Sequence, residues 1–292
     1  MNSLIDFDGV GEVLVNLTNK LADAAGWIAN RQTPYKIAVD TYIEEIKRSN
    51  LDSLTKACLI SNAKKIIKEY SNQNEIFAIA TESICETAKP NMVENDWVSQ
   101  FMDKAKLISD REFQLIWGRI LAEECNCPNS IPKMLLHILE QMDKNDATAF
   151  SLICSFAVWM KDDENKIEYY PIIDSLQLEK FYGLGLTLNA LVDLQALGLI
   201  EMSFDDGSYC YFSEDKKKRV VINYYDHTYE LPEGMSTCSV GNIVFTKAGQ
   251  ALCKAIIVEE QKGFWENECL PIWEKEVKIF LLEQSKEKKN EQ

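Results

Sequence analysis

The segment from Asn95 to Phe150 constrains this chain more than any other, because helical apolar periods and helix-stop signals alternate through it without interruption. Asn95 is a good N-cap, and Asp96 sits in the first turn, where a negative charge meets the positive helix end. Trp97, Phe101, Ala105 and Ile108 recur at helical spacing, with Val98 and Met102 beside them. Ser109 and Glu112 have the spacing of a capping box. A second helix then puts Phe113, Ile116, Trp117, Ile120 and Leu121 on one side, and Cys125-Asn126-Cys127-Pro128 ends it. Ser130 caps a third helix, with Pro132 in its first turn and Met134, Leu135, Ile138 and Leu139 facing inward. Asp143 or Asn145 opens a fourth, Ala147 to Met160, apolar on nearly every side and so expected to be buried all round.

Several of these residues form a recognisable run: Asp96-Trp97, Phe101, Ala105, Ser109, Gln114, Trp117-Gly118, Ile120-Leu121-Ala122 and Glu124. The run resembles the signature of an uncharacterised bacterial family, a domain of unknown function. The resemblance extends to Gly26-Trp27, to Pro34 and to Gly198-Leu199-Ile200. More distantly, the chain is similar to helical abortive-infection alpha proteins, which defend bacteria against phage. The resemblance implies a phage-defence setting. It implies no reaction, since the family offers no catalytic residues to carry over. Cys125 to Ser130 departs from the family pattern, where a turn containing Gly is expected. Trp97, Phe101, Trp117 and Leu121 read as a packed helical core, with a groove for a partner helix as the functional alternative.

The 292 residues allow two or three domains, and 46% hydrophobic residues are ample for real cores. The net charge of −15 argues against general nucleic-acid binding and against resting on an anionic membrane surface. Nine cysteines, an odd number without framework spacing, point to free thiols in a reducing compartment. Asp6 and Asp8 and the lack of a basic n-region exclude a secretory signal at the N-terminus, and no apolar run approaches a membrane span. The expectation is a cytoplasmic protein.

Residues 1–90 read as a helical N-terminal arm. Residues 10–29 form an amphipathic helix with Val10, Leu14, Leu17, Leu21, Ala24, Ala25 and Ile28 on one stripe and Trp27 at its greasy end. Leu14, Leu17, Leu21 and Trp27 are the candidate protein interface, most simply that of a homodimer. Packing on the central domain, or a reversible membrane anchor, are the alternatives; the polar face, with Glu12, Lys20 and Asp23, lacks the basic character of such anchors. Further helices are expected from Tyr35 to Ser49, with Tyr35, Ala38, Val39, Tyr42 and Ile46 inside, from Leu51 to Tyr70, with a solvated face of Lys56, Lys64, Lys65 and Lys68, and from Asn74 to Ala88.

Residues 91–162 are the central helical domain, and the character changes beyond the polar loop Asp162 to Asn165. In residues 163–262, Thr187 caps a helix carrying Leu188, Leu191, Leu194 and Leu197 that closes at Gly198. Strands are expected over Leu199–Phe204, Tyr209–Phe212, Arg219–Tyr225, His227–Leu231 and Gly241–Phe245, with Asp205 to Ser208 as the first hairpin turn. Thr246 caps a helix through Gly249, Leu252 and Ile256. This order resembles a winged-helix domain. Its candidate recognition helix offers Asn189, Asp193 and Gln195 but no base, and residues 176–258 hold seven bases against ten acids, the wrong balance for reading DNA. Lys216 to Arg219 reads as a solvated loop. Residues 263–292 form a C-terminal helix broken at Pro271, with a charged tail frayed from Ser285. The fold class is therefore mainly α: a helical N-terminal and central domain followed by an α+β winged-helix-like domain.

No P-loop, G-x-G-x-x-G or H-E-x-x-H motif is present. His137 reads as a core histidine between Leu136 and Ile138, and Cys125 and Cys127 with His137 fall short of a zinc set. No catalytic, cofactor-binding or metal-binding residue is assigned. The expected function is that of a non-enzymatic interaction protein with an unknown protein partner. A DNA-binding transcription regulator and an enzyme of unrecognised type are the alternatives.

Overall fold

The computed structural model describes residues 10–27, 34–173, 179–203, 209–215 and 219–290. The chain is mainly α, with antiparallel strands confined to its C-terminal part. It divides into two compact units, residues 1–136 and 137–292. This grouping differs from the expected boundaries at 90 and 162: the expected N-terminal arm packs on the first half of the central segment, and the second half of that segment packs with the strands.

The first unit holds α1 (Val10–Ala25), α2 (Pro34–Arg48), α3 (Ser53–Ser83), a 3-10 turn (Pro90–Met92), α4 (Asn95–Ala105) and α5 (Arg111–Asn126). The helix α6 (Lys133–Gln141) spans the division. Gly26 ends α1 earlier than expected, taking φ +66° while its N–H returns to the Ala22 carbonyl. Leu14, Leu17 and Leu21 are buried as α1 packs on α4 and the 3-10 turn, and Trp27 is buried over Phe77, ring centroids 4.9 Å apart. The stripe expected to meet a second copy is therefore already covered by its own chain.

Helix α3 is one helix of 31 residues where two were expected. The polar run Ser71 to Asn74 does not break it, because Asn72 and Gln73 turn their amides to carbonyls at the end of α4, donating to Lys106 O (2.8 Å) and Met102 O (2.9 Å). Asp52 caps its start, and Asn126 closes its end by donating to Ser83 O and accepting from Cys85 N. Lys64, Lys65 and Lys68 are solvent-exposed, as expected, while Lys56 is half-buried and donates to Lys47 O. On α2, Ile43 and Ile46 are buried while Tyr42 is 47% exposed; the inward face is rotated from the one expected.

Other caps shift by a residue or more. Glu94, not Asn95, precedes α4, and Asp110, not Ser109, caps α5 by accepting from Glu112 N and Phe113 N. Ser130 does not cap α6, which starts at Lys133; Met134 is 65% exposed and Leu136 buried in its place, and His137 is exposed rather than in a core. The capping box belongs to Asp143 and Asp146, which open α7 (Lys144–Ser155). That helix stops at Ser155, and Ala157 to Met160, expected to be helical, lie in β1 (Ala157–Lys161). A short apolar run does not distinguish helix from strand by its period.

In the second unit, β1 pairs with β2 (Ile167–Pro171) across the polar turn, in which Asp162 accepts from Glu164 N and Lys166 N and Asn165 takes φ +64°. Then come α8 (Glu179–Tyr182), α9 (Leu188–Ala196), β3 (Ile200–Met202), β4 (Tyr209–Phe212), β5 (Val221–Tyr224), β6 (His227–Glu230), β7 (Thr237–Gly241), β8 (Ile243–Phe245) and α10 (Lys247–Ala255). One sheet has the order β2-β1-β5-β6; β3 pairs with β8 and β4 with β7, all antiparallel. The return strand expected beside β3 is β8, while β4 joins β7; the turn Asp205 to Ser208 lies outside the described residues, as do Lys216 to Lys218. Along the chain α7 is followed by β1, β2, α8, α9 and β3, and β4 to β7 intervene before β8, the partner of β3. A π-helical turn (Trp265–Cys269) runs into α11 (Leu270–Asn290), so Pro271 falls in a first turn, where it breaks nothing, and the helix continues past Ser285.

Candidate functional site

The central motif resolves into four structural devices. Trp97, Phe101 and Trp117 form an aromatic row, with centroid spacings of 5.1 and 5.2 Å and all three rings buried; Leu121 is buried with them. The Trp97 indole donates to Ile131 O at 3.1 Å. Glu124, 1% exposed, accepts from Ile131 N (2.8 Å) and Asn129 N (2.7 Å), so the turn between α5 and α6 is held from both sides. Burial pushes the Glu124 carboxyl above its ordinary range, and these amide bonds oppose the shift. Asn129 takes φ +68°, occupying the left-handed position for which the family pattern led us to expect Gly. Gln114 donates to Ile108 O (3.0 Å), fixing the turn from α4 to α5. At Gly118, α3 and α5 approach so closely that a Cβ would lie 2.5 Å from Ile79 Cγ2. Trp97, Phe101, Ala105, Gln114, Trp117, Gly118, Ile120, Leu121, Ala122 and Glu124 are buried inside the protein, while Asp96 and Ser109 are exposed.

Two short motifs of the second unit interlock. The hydroxyl of Thr246 caps α10 by accepting from Gly249 N and donates to Gly198 O at 2.6 Å. Gly198 closes α9 at φ +80°, and a Cβ on Gly249 would lie 2.0 Å from Leu199 O. This lock fixes the end of α9. Thr187 caps the start, accepting from Ala190 N, and Leu191 and Leu194 are buried. The outward residues of α9 are then Leu188, Asn189, Val192, Asp193, Gln195 and Ala196, and Gln195 is committed to Met202 N. Leu188 is 42% exposed and Val192 48%. Tyr182 and Leu184, just before α9, are about as exposed. The surface around α9 is thus apolar with one acid, Asp193, and no base on the helix.

A second cluster joins β5 and β6 to the π-helical turn. Tyr224 and His227 stack on Trp265 at 5.9 and 5.4 Å, and Trp265 meets Trp273 edge-on at 5.6 Å. His227 Nε2 lies 3.0 Å from Glu260 Oε1. The Tyr224 hydroxyl donates to Ser155 O and accepts from Gln261 N, while burial pushes it well above its ordinary value. A phenol so engaged is a strut, not an acid or base. Among the cysteines, Cys125 is buried and raised to about 12, while Cys127 is exposed. Among the described residues, no three His, Cys, Asp or Glu side chains converge to hold a metal ion.

Sequence reasoning named α9 for its lack of bases but not the exposure of Leu188 and Val192. Their i, i+4 spacing matches that of core leucines, so the pattern alone cannot separate them from Leu191 and Leu194. The aromatic stack was missed because Tyr224 and His227 come well before Trp265 and Trp273 in the sequence, on separate elements.

A family model described as Protein of unknown function (DUF2806) matches residues 61–267, and the chain belongs to that family. No curated protein and no solved structure matches it.

Proposed function

We propose that this member of a family of unknown function is an interaction protein rather than an enzyme, and that its winged-helix-like module meets a protein surface rather than DNA. One observation carries the reading: the helix that would enter a major groove exposes Leu188 and Val192 beside Asp193, with no Lys or Arg. Readers of DNA place bases at that position, because phosphate neutralisation supplies most of their affinity. Half-exposed aliphatic side chains flanked by Tyr182 and Leu184 suit a partner with an apolar patch of its own. The proposed setting is the bacterial cytoplasm. Among the described residues, no helix is long and apolar enough to cross a membrane.

Two measurements test this. In a gel shift with mixed-sequence duplex DNA, the chain should show no retardation at low salt; tight binding that weakens steeply with salt would overturn the reading in favour of a regulator. Affinity capture with the wild type and with Leu188→Glu/Val192→Glu should give a partner lost from the variant. Equal capture by both would place the contact elsewhere. The phage-defence setting rests on the resemblance alone, and growth of expressing and non-expressing cells under phage challenge tests it.

A further inference from the structure

The four-stranded sheet ends at β6, and the backbone groups of that strand can be placed one by one. Leu231 N donates to Val220 O at 3.0 Å, so these two residues face each other as a hydrogen-bonded pair. Such pairs alternate along an antiparallel ladder, which puts Ile222 with Tyr229, and Tyr224 with His227, in the same class. The N–H and C=O groups of Thr228 and Glu230 therefore point away from β5, out of the sheet. Among the described residues, nothing pairs with them. Two other outward edges of this unit are closed by side chains of the chain itself. Gln250 donates to Tyr169 O and accepts from Tyr169 N on β2; on β7, Trp273 donates to Ser239 O and Glu276 accepts from Ser239 N. The edge of β6 has no such cover among the described residues.

An apolar floor adjoins this edge. Tyr229 stacks on Trp273 with centroids 5.9 Å apart, which brings β6 against the start of α11. Tyr229 then lines, with Val277, Leu281 and Leu282, a depression of about 450 Å³. Leu281 is 50% exposed and Leu282 54%. One acid and one base, Glu274 and Lys278, border the depression, so it favours neither sign of charge. The open backbone groups call for a strand, and the leucines call for an apolar side chain. A strand laid on β6 supplies both. Two of its residues exchange hydrogen bonds with Thr228 and Glu230, and the residue between them lies opposite Tyr229. Side chains directly opposite each other share a face, so that residue enters the depression that Tyr229 lines. We infer that the β6 edge and this depression form one docking site, occupied by an extended segment of another protein that pairs with Thr228 and Glu230 and sets an apolar residue opposite Tyr229. A docked helix would cover the leucines but leave the edge unpaired, because its own backbone groups are already bonded within it.

The probe is a synthetic peptide of about eight residues that alternates threonine and valine, long enough for one strand. The readout is amide hydrogen exchange in the full chain, followed residue by residue by NMR. With ~1 mM peptide the Thr228 and Glu230 amides should exchange about tenfold more slowly, as for a Kd near ~0.1 mM. The same peptide methylated on its backbone nitrogens should give no protection. Thr228→Pro removes an outward N–H and no bond to β5, so it should abolish the protection of Glu230 while the sheet persists. Leu281→Glu, at an exposed position, is the second variant and should weaken binding about tenfold without touching the strand. Unchanged exchange at Thr228 and Glu230 with ~1 mM peptide overturns the inference. So does protection that survives both substitutions. Protection that grows with the concentration of the chain alone, with no peptide present, overturns the choice of occupant and makes it a second copy. Leu188→Glu/Val192→Glu should bind the peptide as the wild type does, so this result and the reading of α9 stand or fall separately.

Discussion

Helices α5 and α9 share a sequence style, aliphatic residues at helical spacing closed by a turn signal, yet they do opposite work. Of the 16 residues of α5, nine are buried, including the polar Gln114 and Glu124; α9 buries only Leu191 and Leu194 and turns Leu188 and Val192 outward. Helix α5 is sealed by α3 and by the turns it braces. Helix α9 is locked at its end by Thr246 and is otherwise free to present a face. The residues most distinctive in sequence are thus those with least to offer a partner, because geometric demands such as the Gly118 contact and the Glu124 carboxylate permit few alternatives. The surface best suited to binding is chemically ordinary.

The sharpest way to break this contrast is Trp117→Ala. The ring is fully buried, and its loss should destabilise the first unit by about 3–5 kcal/mol. A thermal melt unchanged by the substitution would mean that α5 is open to solvent after all. Next in size is Glu124→Ala, which strands the amides of Asn129 and Ile131 and should cost about 2–4 kcal/mol in chemical denaturation. Gly118→Ala should follow at about 1–3 kcal/mol, since the methyl must displace Ile79; a neutral result would show that α3 and α5 slide apart freely.

A smaller effect lies in the pH dependence. The folded pKa of Glu124 is raised, so its contribution to stability is fully present below the unfolded value and is lost as pH rises through the folded one. Glu124→Gln cannot titrate. The difference in melting temperature between wild type and Gln variant should therefore move in favour of the wild type on acidification from pH 7 to about pH 4, near the unfolded carboxylate pKa. Movement in the other direction would mean that the two amide bonds outweigh burial. The smallest effect on stability is expected at α9. Leu188→Glu/Val192→Glu should stay within about 0.5 kcal/mol of wild type while losing the partner, and a large loss of stability would show that these side chains belong to a core.

The sequence by itself determined the elements with local causes. Thr187 and Thr246 cap the helices assigned to them, Gly198 closes α9, and Asp162 to Asn165 form a polar turn, because each depends on atoms within a few residues. The helical character of the first unit and the mixed character of the second were legible on the same grounds, as was the apolar stripe of α1. What covers that stripe was not, because Leu14, Leu17 and Leu21 read alike whether they meet α4 or a second copy. Only the tertiary structure decided that α3 is continuous, since the carbonyls satisfying Asn72 and Gln73 lie about 30 residues away. It alone turned Ala157 to Met160 into a strand, by supplying β2 and β5 as hydrogen-bond partners for a run that could equally have been helix. It also separated Leu191 from Leu188, because burial depends on what the rest of the chain places overhead and not on the period of the helix.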